Sequence, residues 1–211
     1  MSAMPSAAGS PLLESPSLTI SATPTEGKLL ELLAQWQAWP KQDGLPGRDQ
    51  FEPADMPHLL PHLCLVEYDR HANPYRHYDV LFRYIGTRIG EDFNMSHSTR
   101  RHMSDFGASF AQRWYPVFDR VVTTRRPFAV HGVPYLIDKT YLRFELVFLP
   151  LMRGDAAMPA DASDRGGAPA KVSFALFGGI FGPNLAGPQS DDELAAHMTA
   201  GAAPIGGDCD R

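Results

Sequence analysis

Cysteine is almost absent from this chain: Cys64 and Cys209 are the only two among 211 residues. Two cysteines cannot form a disulfide framework, which excludes the stapled, loop-rich class of small secreted domain. Cys64 sits in an apolar run and reads as a small core hydrophobe, whereas Cys209 falls in a Gly/Ala/Asp-rich tail. Long hydrophobic runs are missing too, and no segment approaches the ~20 apolar residues that a spanning helix needs. Positive charge is in short supply, with 19 Lys+Arg against 24 Asp+Glu and a formal net charge of −5. That balance argues against a nucleic-acid binder or a membrane-surface binder. The basic pairs Arg100-Arg101 and Arg125-Arg126 are too short to make such a surface. Catalytic signatures are lacking as well. There is no nucleophile-elbow spacing and no Ser/His/Asp arrangement, and Gly178-Gly179 lacks the lysine and following helix of a phosphate loop. The chain reads as a binding or signalling module rather than an enzyme.

What is present suits a globular core: 44% hydrophobic and 20% charged residues. Residues 1–26 are rich in Ser, Pro and Ala, with no basic leading stretch and no sustained apolar run. They read as a mobile tail and not as a signal peptide, so a cytoplasmic location is expected. A helix is expected from about Thr25-Glu26, with Leu29, Leu32, Leu33, Trp36 and Trp39 on one stripe and Pro40 ending it. Two strand-like runs follow, Leu63–Tyr68 and Tyr78–Arg88, with Asn73-Pro74 in the turn between them. A polar stretch past Gly90 suggests short helical turns. A second helix is expected over about Asp105 to Thr124, its apolar face marked by Phe106, Phe110, Trp114, Val117, Phe118, Val121 and Val122. Pro116 should kink that helix or divide it.

Three further strands are expected at Phe128–Ile137, Tyr141–Met152 and Lys171–Phe181, the first two joined by a tight turn at Asp138-Lys139. Residues 153–170, rich in Ala, Asp, Gly and Pro, form a long insertion, and 183–211 a second tail with a short helix around Asp191–Met198. One domain, 27–182, therefore carries the fold, which is α+β with an antiparallel five-stranded sheet. The strand around Leu146 is apolar on both faces apart from Glu145, so both faces must be covered. Helices between the strands take one face. The Leu29–Trp39 helix takes the other, in cis or across a dimer.

Several segments recur in a recognisable order: Leu45-Pro46-Gly47-Arg48, Phe51-Glu52-Pro53, Leu59-Leu60-Pro61, Phe82-Arg83-Tyr84-Ile85-Gly86-Thr87 and Glu145-Leu146-Val147-Phe148-Leu149-Pro150-Leu151. In this the chain resembles a PAS domain, and more closely the compact single-domain PAS proteins of bacteria, of the alphaproteobacterial type. The chain departs from that family at Phe93-Asn94-Met95-Ser96, where the family has a Leu-Thr-Gly step. The resemblance implies a sensory or regulatory module working through a small-molecule ligand, a protein partner or a homodimer, with no catalytic residues to carry over.

The candidate ligand-pocket residues are Arg83, Tyr84, Trp114, Phe118, Phe144 and Glu145. Arg83 and Glu145 are single charges in apolar strands, and two unpaired charges in a core would be costly. They are expected to pair across the sheet or to sit on its covered outer face, unless Arg83 faces a pocket and anchors a carboxylate ligand. His58, His62 and Cys64 superficially match metal-ligand spacing, but Pro57 and Pro61 prevent one continuous helical face, so no metal is expected. No cofactor is expected either. The Asp105–Thr124 helix carries no histidine for haem, His97 and His102 fall upstream of it, and Gly90–Ser104 holds no cysteine for a flavin adduct. A haem- or flavin-binding redox or gas sensor is the alternative, and an absorption spectrum decides it.

Overall fold

The structure, a computed structural model, describes residues 18–72, 76–95, 98–134, 142–154 and 172–183. The expected features at Asn73-Pro74, His97, Asp138-Lys139, Asp191–Met198 and Cys209, with most of the 1–26 tail and the 153–170 insertion, fall outside the described residues.

In chain order the strands are β1 (Thr19–Ser21), β2 (Lys41–Gln42), β3 (Leu45–Pro46), β4 (Leu63–Asp69), β5 (Asp79–Ile85), β6 (Phe128–Gly132), β7 (Leu142–Leu151) and β8 (Phe174–Pro183). The helices are α1 (Gly27–Ala38), α2 (Thr87–Asp92) and α3 (Ala108–Thr124). The fold is α+β, as expected, but its antiparallel sheet has six strands in the order β1-β6-β7-β8-β4-β5. The sixth is β1, which falls within the stretch expected to be tail. Its three residues, Thr-Ile-Ser, are too few to show a strand period, and only pairing with β6 defines them.

Two other boundaries moved for visible reasons. The strand expected to run to Arg88 stops at Ile85, because Gly86 caps α2. The helix expected from Asp105 begins at Ala108, because Gly107 (φ 93°) breaks it from a 3-10 turn at Met103–Phe106. Pro116 does not divide α3, which runs through it.

The sheet is covered on both faces. On the inner face α3 brings Trp114 and Phe118 over Phe82, Leu146, Phe148 and Phe177. On the outer face α1 packs in cis on β7 and β8, burying Leu29, Leu32, Leu33 and Trp36, with Trp39 buried just beyond its end. The Trp36 indole N–H donates to the Pro150 carbonyl at 3.0 Å, and the Trp39 ring meets Phe51 edge-on. Gly178 and Gly179 on β8 serve this two-sided packing. A Cβ at Gly178 would meet Leu32 at 2.7 Å, and one at Gly179 would meet Ile89 and Leu146 at 2.6 Å. The glycine pair lets both layers approach the same strand.

Candidate functional site

Between α3 and the inner face of the sheet lies a small cavity. Phe82, Leu146, Phe148 and Phe177 wall it from the sheet, Trp114 and Phe118 from α3. Ile89 of α2 and the thioethers of Met95 and Met103 close it. Every lining residue is apolar, and the room for a water-sized sphere is about 20 Å³. A void with no polar partner does not hold a water, so this one is a dry gap in the core.

Of the six candidate pocket residues, the structure brings Trp114 and Phe118 to this cavity. Phe144 stands beside it, its ring 5.8 Å from Trp114 and 5.7 Å from Phe93 between centroids. Arg83, Tyr84 and Glu145 do not reach it. Arg83 is exposed on β5, at a bulge between the pairs Leu65↔Tyr84 and Val66↔Phe82. The Tyr84 hydroxyl donates to the Leu60 carbonyl at 3.0 Å.

The expected Arg83–Glu145 pair does not form. β8 and β4 stand between β7 and β5, which separates those strands by about 14 Å at ~4.8 Å per step. Arg83 pairs instead with Glu67 on the adjacent strand, and Arg153 reaches the other oxygen of the same carboxylate at 2.9 Å. This cluster is surface-facing, and such pairs contribute on the order of 0–1 kcal/mol.

Glu145 has a different task. It is buried on the outer face of β7, beneath the start of α1. Its carboxylate accepts from the Thr25 N–H at 2.6 Å, the Thr25 hydroxyl at 3.0 Å and the Glu26 N–H at 3.0 Å. Glu26 is the N-cap of α1 and makes no side-chain cap of its own; the sheet carboxylate bonds the N–H groups of Glu26 and of Thr25 just before it, which sets a negative charge at the positive end of the helix. Nε2 of His131, directly opposite Glu145 on β6, lies 3.7 Å from that carboxylate and 2.9 Å from the Ser21 hydroxyl. Glu145 on β7 thus holds the start of α1, and His131 links it to β6 and, through Ser21, to β1.

Further polar groups tie the outer layer together. His58 contacts Glu31 of α1 at 2.8 Å, and Nε2 of His62 lies 2.9 Å from Nζ of Lys28. Burial, together with the Lys28 charge, holds the His62 imidazole below its ordinary value of 6.5. A depressed histidine pKa contributes stability that is complete above the unfolded value and is lost as pH falls through the folded one. The thermal midpoint should therefore decline below about pH 6.5. In Lys28→Ala the His62 titration midpoint should rise, as followed by NMR; an unmoved midpoint would rule out the Lys28 contribution. Cys64 is fully buried, which pushes its thiol well above the usual range and makes it unreactive.

Sequence reasoning missed one buried acid. Asp79, at the start of β5, is 1% exposed and accepts from the Tyr115 hydroxyl at 2.8 Å, the Ser104 hydroxyl at 2.6 Å and the Val80 N–H at 2.7 Å. Beside it Asp119 of α3 receives the Arg76 guanidinium at 2.8 Å and the Tyr78 hydroxyl, while Arg76 stacks 4.1 Å from the centre of the Tyr115 ring. His102 contacts Asp69 at 3.2 Å rather than facing the cavity. Among the described residues no helix is long and apolar enough to cross a membrane.

A family model described as a PAS domain matches residues 25–160, more than half of the chain. The match runs from the Thr25 contact with Glu145 through β7, and it stops short of β8, the strand that joins β4 to β7. No curated protein matches the chain. With a six-stranded antiparallel sheet, helices on its inner face and an apolar cavity between the two layers, the chain belongs to the PAS domain family.

Proposed function

We propose that the protein is a non-enzymatic sensory or regulatory module in which the state of the inner cavity is passed through β7 to α1, and from α1 to a protein partner or a second copy. The observation that carries this reading is the alternation of one strand. Leu146 and Phe148 point inward and wall the cavity, while Glu145, next to Leu146, points outward and holds the start of α1. A shift of β7 that makes room for a small apolar ligand moves the carboxylate as well. Loosened, α1 would uncover Leu29, Leu32, Leu33 and Trp36 and the apolar strands beneath them, a surface fit to bind another chain.

The test opens the cavity and watches the helix. Leu146→Ala enlarges it at an expected loss of about 2–5 kcal/mol, and Met103→Ala does the same from another wall should the first variant not fold. Indole is the probe. It should raise the thermal midpoint of the enlarged protein and change amide exchange across residues 25–38. Adding Glu145→Gln should leave indole binding intact while the α1 exchange response disappears. In the otherwise unaltered protein, Glu145→Gln should speed α1 exchange about tenfold, as expected for loss of ~1.5 kcal/mol of charge-assisted hydrogen bonding. If indole binds and α1 exchange does not respond with Glu145 in place, the proposed coupling is wrong.

A further inference from the structure

At the end of the sheet away from β5, β1 is the edge strand among the described residues: one side pairs with β6, and no described strand lies beside the other. Between β1 and the C-terminal turns of α3 runs an open groove of about 520 Å³. Its floor is Phe128 and Pro127, and one wall is Ile20, which with Leu30 is one of two large hydrophobic residues left exposed among the described residues. The other wall carries Arg120 and Thr124 of α3, with Arg126 just beyond the helix. Arg120 lies 5.4 Å from the centre of the Phe128 ring, and among the described residues neither Arg120 nor Arg126 has a carboxylate partner. Both guanidinium groups are exposed, and no carboxylate among the described residues accepts from their N–H donors. On a chain of net charge −5 the groove is a local basic site.

A free strand edge, an exposed isoleucine and two unmatched guanidinium groups call for one kind of occupant. Strand addition supplies backbone partners to the edge, and carboxylates on alternate residues of the added strand meet the arginines. We propose that the groove between β1 and α3 takes an extended acidic segment of a partner protein, which adds a strand to β1. The chain's own acidic run, Asp191-Asp192-Glu193, is poorly placed for this. Pro183, the last described residue, pairs with Leu142, whereas Phe128 pairs with Phe148. The path is about 20 Å along the sheet and about 14 Å across it at ordinary strand spacings. The eight residues from 184 to 191 cover roughly 27 Å only when fully extended. A partner's segment meets no such limit.

The probe is a short labelled peptide of alternating glutamate and valine, added to the full chain. It should bind, weaken with rising salt, and lose about tenfold in affinity to the R120E/R126E variant. Both arginines are exposed, so that variant should keep the wild-type thermal midpoint, which makes the loss a binding effect. A peptide N-methylated at alternate residues should fail to bind, since it cannot complete the ladder. Absence of binding, equal affinity for R120E/R126E, or equal affinity of the N-methylated peptide would each overturn strand addition by an acidic segment. Oligothymidylate binding with the same arginine dependence would replace the peptide with a nucleic acid. Tighter peptide binding after neutralising Asp161 and Asp164, or Asp191 and Asp192, would put the chain's own acids in the groove and overturn the partner.

Discussion

Gly86→Ala should lower the unfolding free energy by about 3 kcal/mol, the upper end of the range for overpacking a close contact. Gly86 does not need its glycine for backbone conformation, since its φ of −65° is open to any residue. The requirement is space. A Cβ there would fall against the carbonyl oxygens of Leu60 and Pro61, and 2.7 Å from the Pro61 carbonyl carbon. Those are backbone atoms of the 3-10 turn Leu60–His62 that leads into β4, and the Gly86 N–H is itself bonded to the Leu63 carbonyl at 2.7 Å. Neither side can withdraw without breaking that bond. At Gly178 and Gly179 the obstructing atoms are side-chain methyl groups, which can rotate away, so alanine there should cost less. Gly27 provides the control. It opens α1 with nothing within 4 Å of a new Cβ, so Gly27→Ala should be neutral or stabilise by up to about 1 kcal/mol. Urea unfolding with an unchanged slope measures all four variants. A Gly86→Ala protein within ~0.5 kcal/mol of the parent would mean that the two segments are not held together as described.

Gly86 also marks what a sequence can and cannot disclose. The run Phe82-Arg83-Tyr84-Ile85 was legible as a strand, because alternation is a local signal, but its stop before Gly86 was not, since the strand was expected to continue to Arg88. That the glycine is needed by a carbonyl about 25 residues earlier is a tertiary fact. The same divide separates the two halves of the site. Leu29, Leu32, Leu33, Trp36 and Trp39 read correctly as a packing stripe, since period and burial coincide, and the doubly apolar β7 correctly implied a cover on each face. The partners of Arg83 and Glu145 were not legible. Both charges were visible, but their pairing depends on strand order, and the two strands that intervene belong to different parts of the chain. Glu145 moreover bonds to backbone N–H groups, which every residue but proline owns and no side-chain pattern reveals. β1 escaped for a related reason. A three-residue strand is specified by its neighbour and not by its own sequence.

Asp79→Ala should be as damaging as Gly86→Ala, with a loss of about 3–4 kcal/mol, for the opposite physical reason: it empties a buried polar site. The carboxylate is the common acceptor for two hydroxyls and an N–H drawn from three places, Tyr115 on α3, Ser104 in the preceding 3-10 turn and Val80 on β5. Alanine removes every one of those acceptors at once and leaves the buried Tyr115 hydroxyl without its carboxylate partner. Asparagine keeps the shape and one carbonyl oxygen, and its amide can donate to Ser104, so Asp79→Asn should lose only about half as much. Tyr115→Phe deletes one bond to the charge and should cost about 1.5–2 kcal/mol. Because these groups act as a unit, the double variant Asp79→Ala/Tyr115→Phe should fall short of the sum of the singles by about 1 kcal/mol or more. Chemical denaturation of the four proteins closes that cycle. If Asp79→Ala costs no more than removal of an exposed acid such as Asp105, or the effects simply add, then Asp79 does not organise the junction of α3 and β5. If the cycle closes with the expected coupling, an acid that looks like any other strand-end residue in the sequence is what holds the wall of the cavity in place, because Tyr115 precedes the cavity-lining Phe118 by less than one turn of α3.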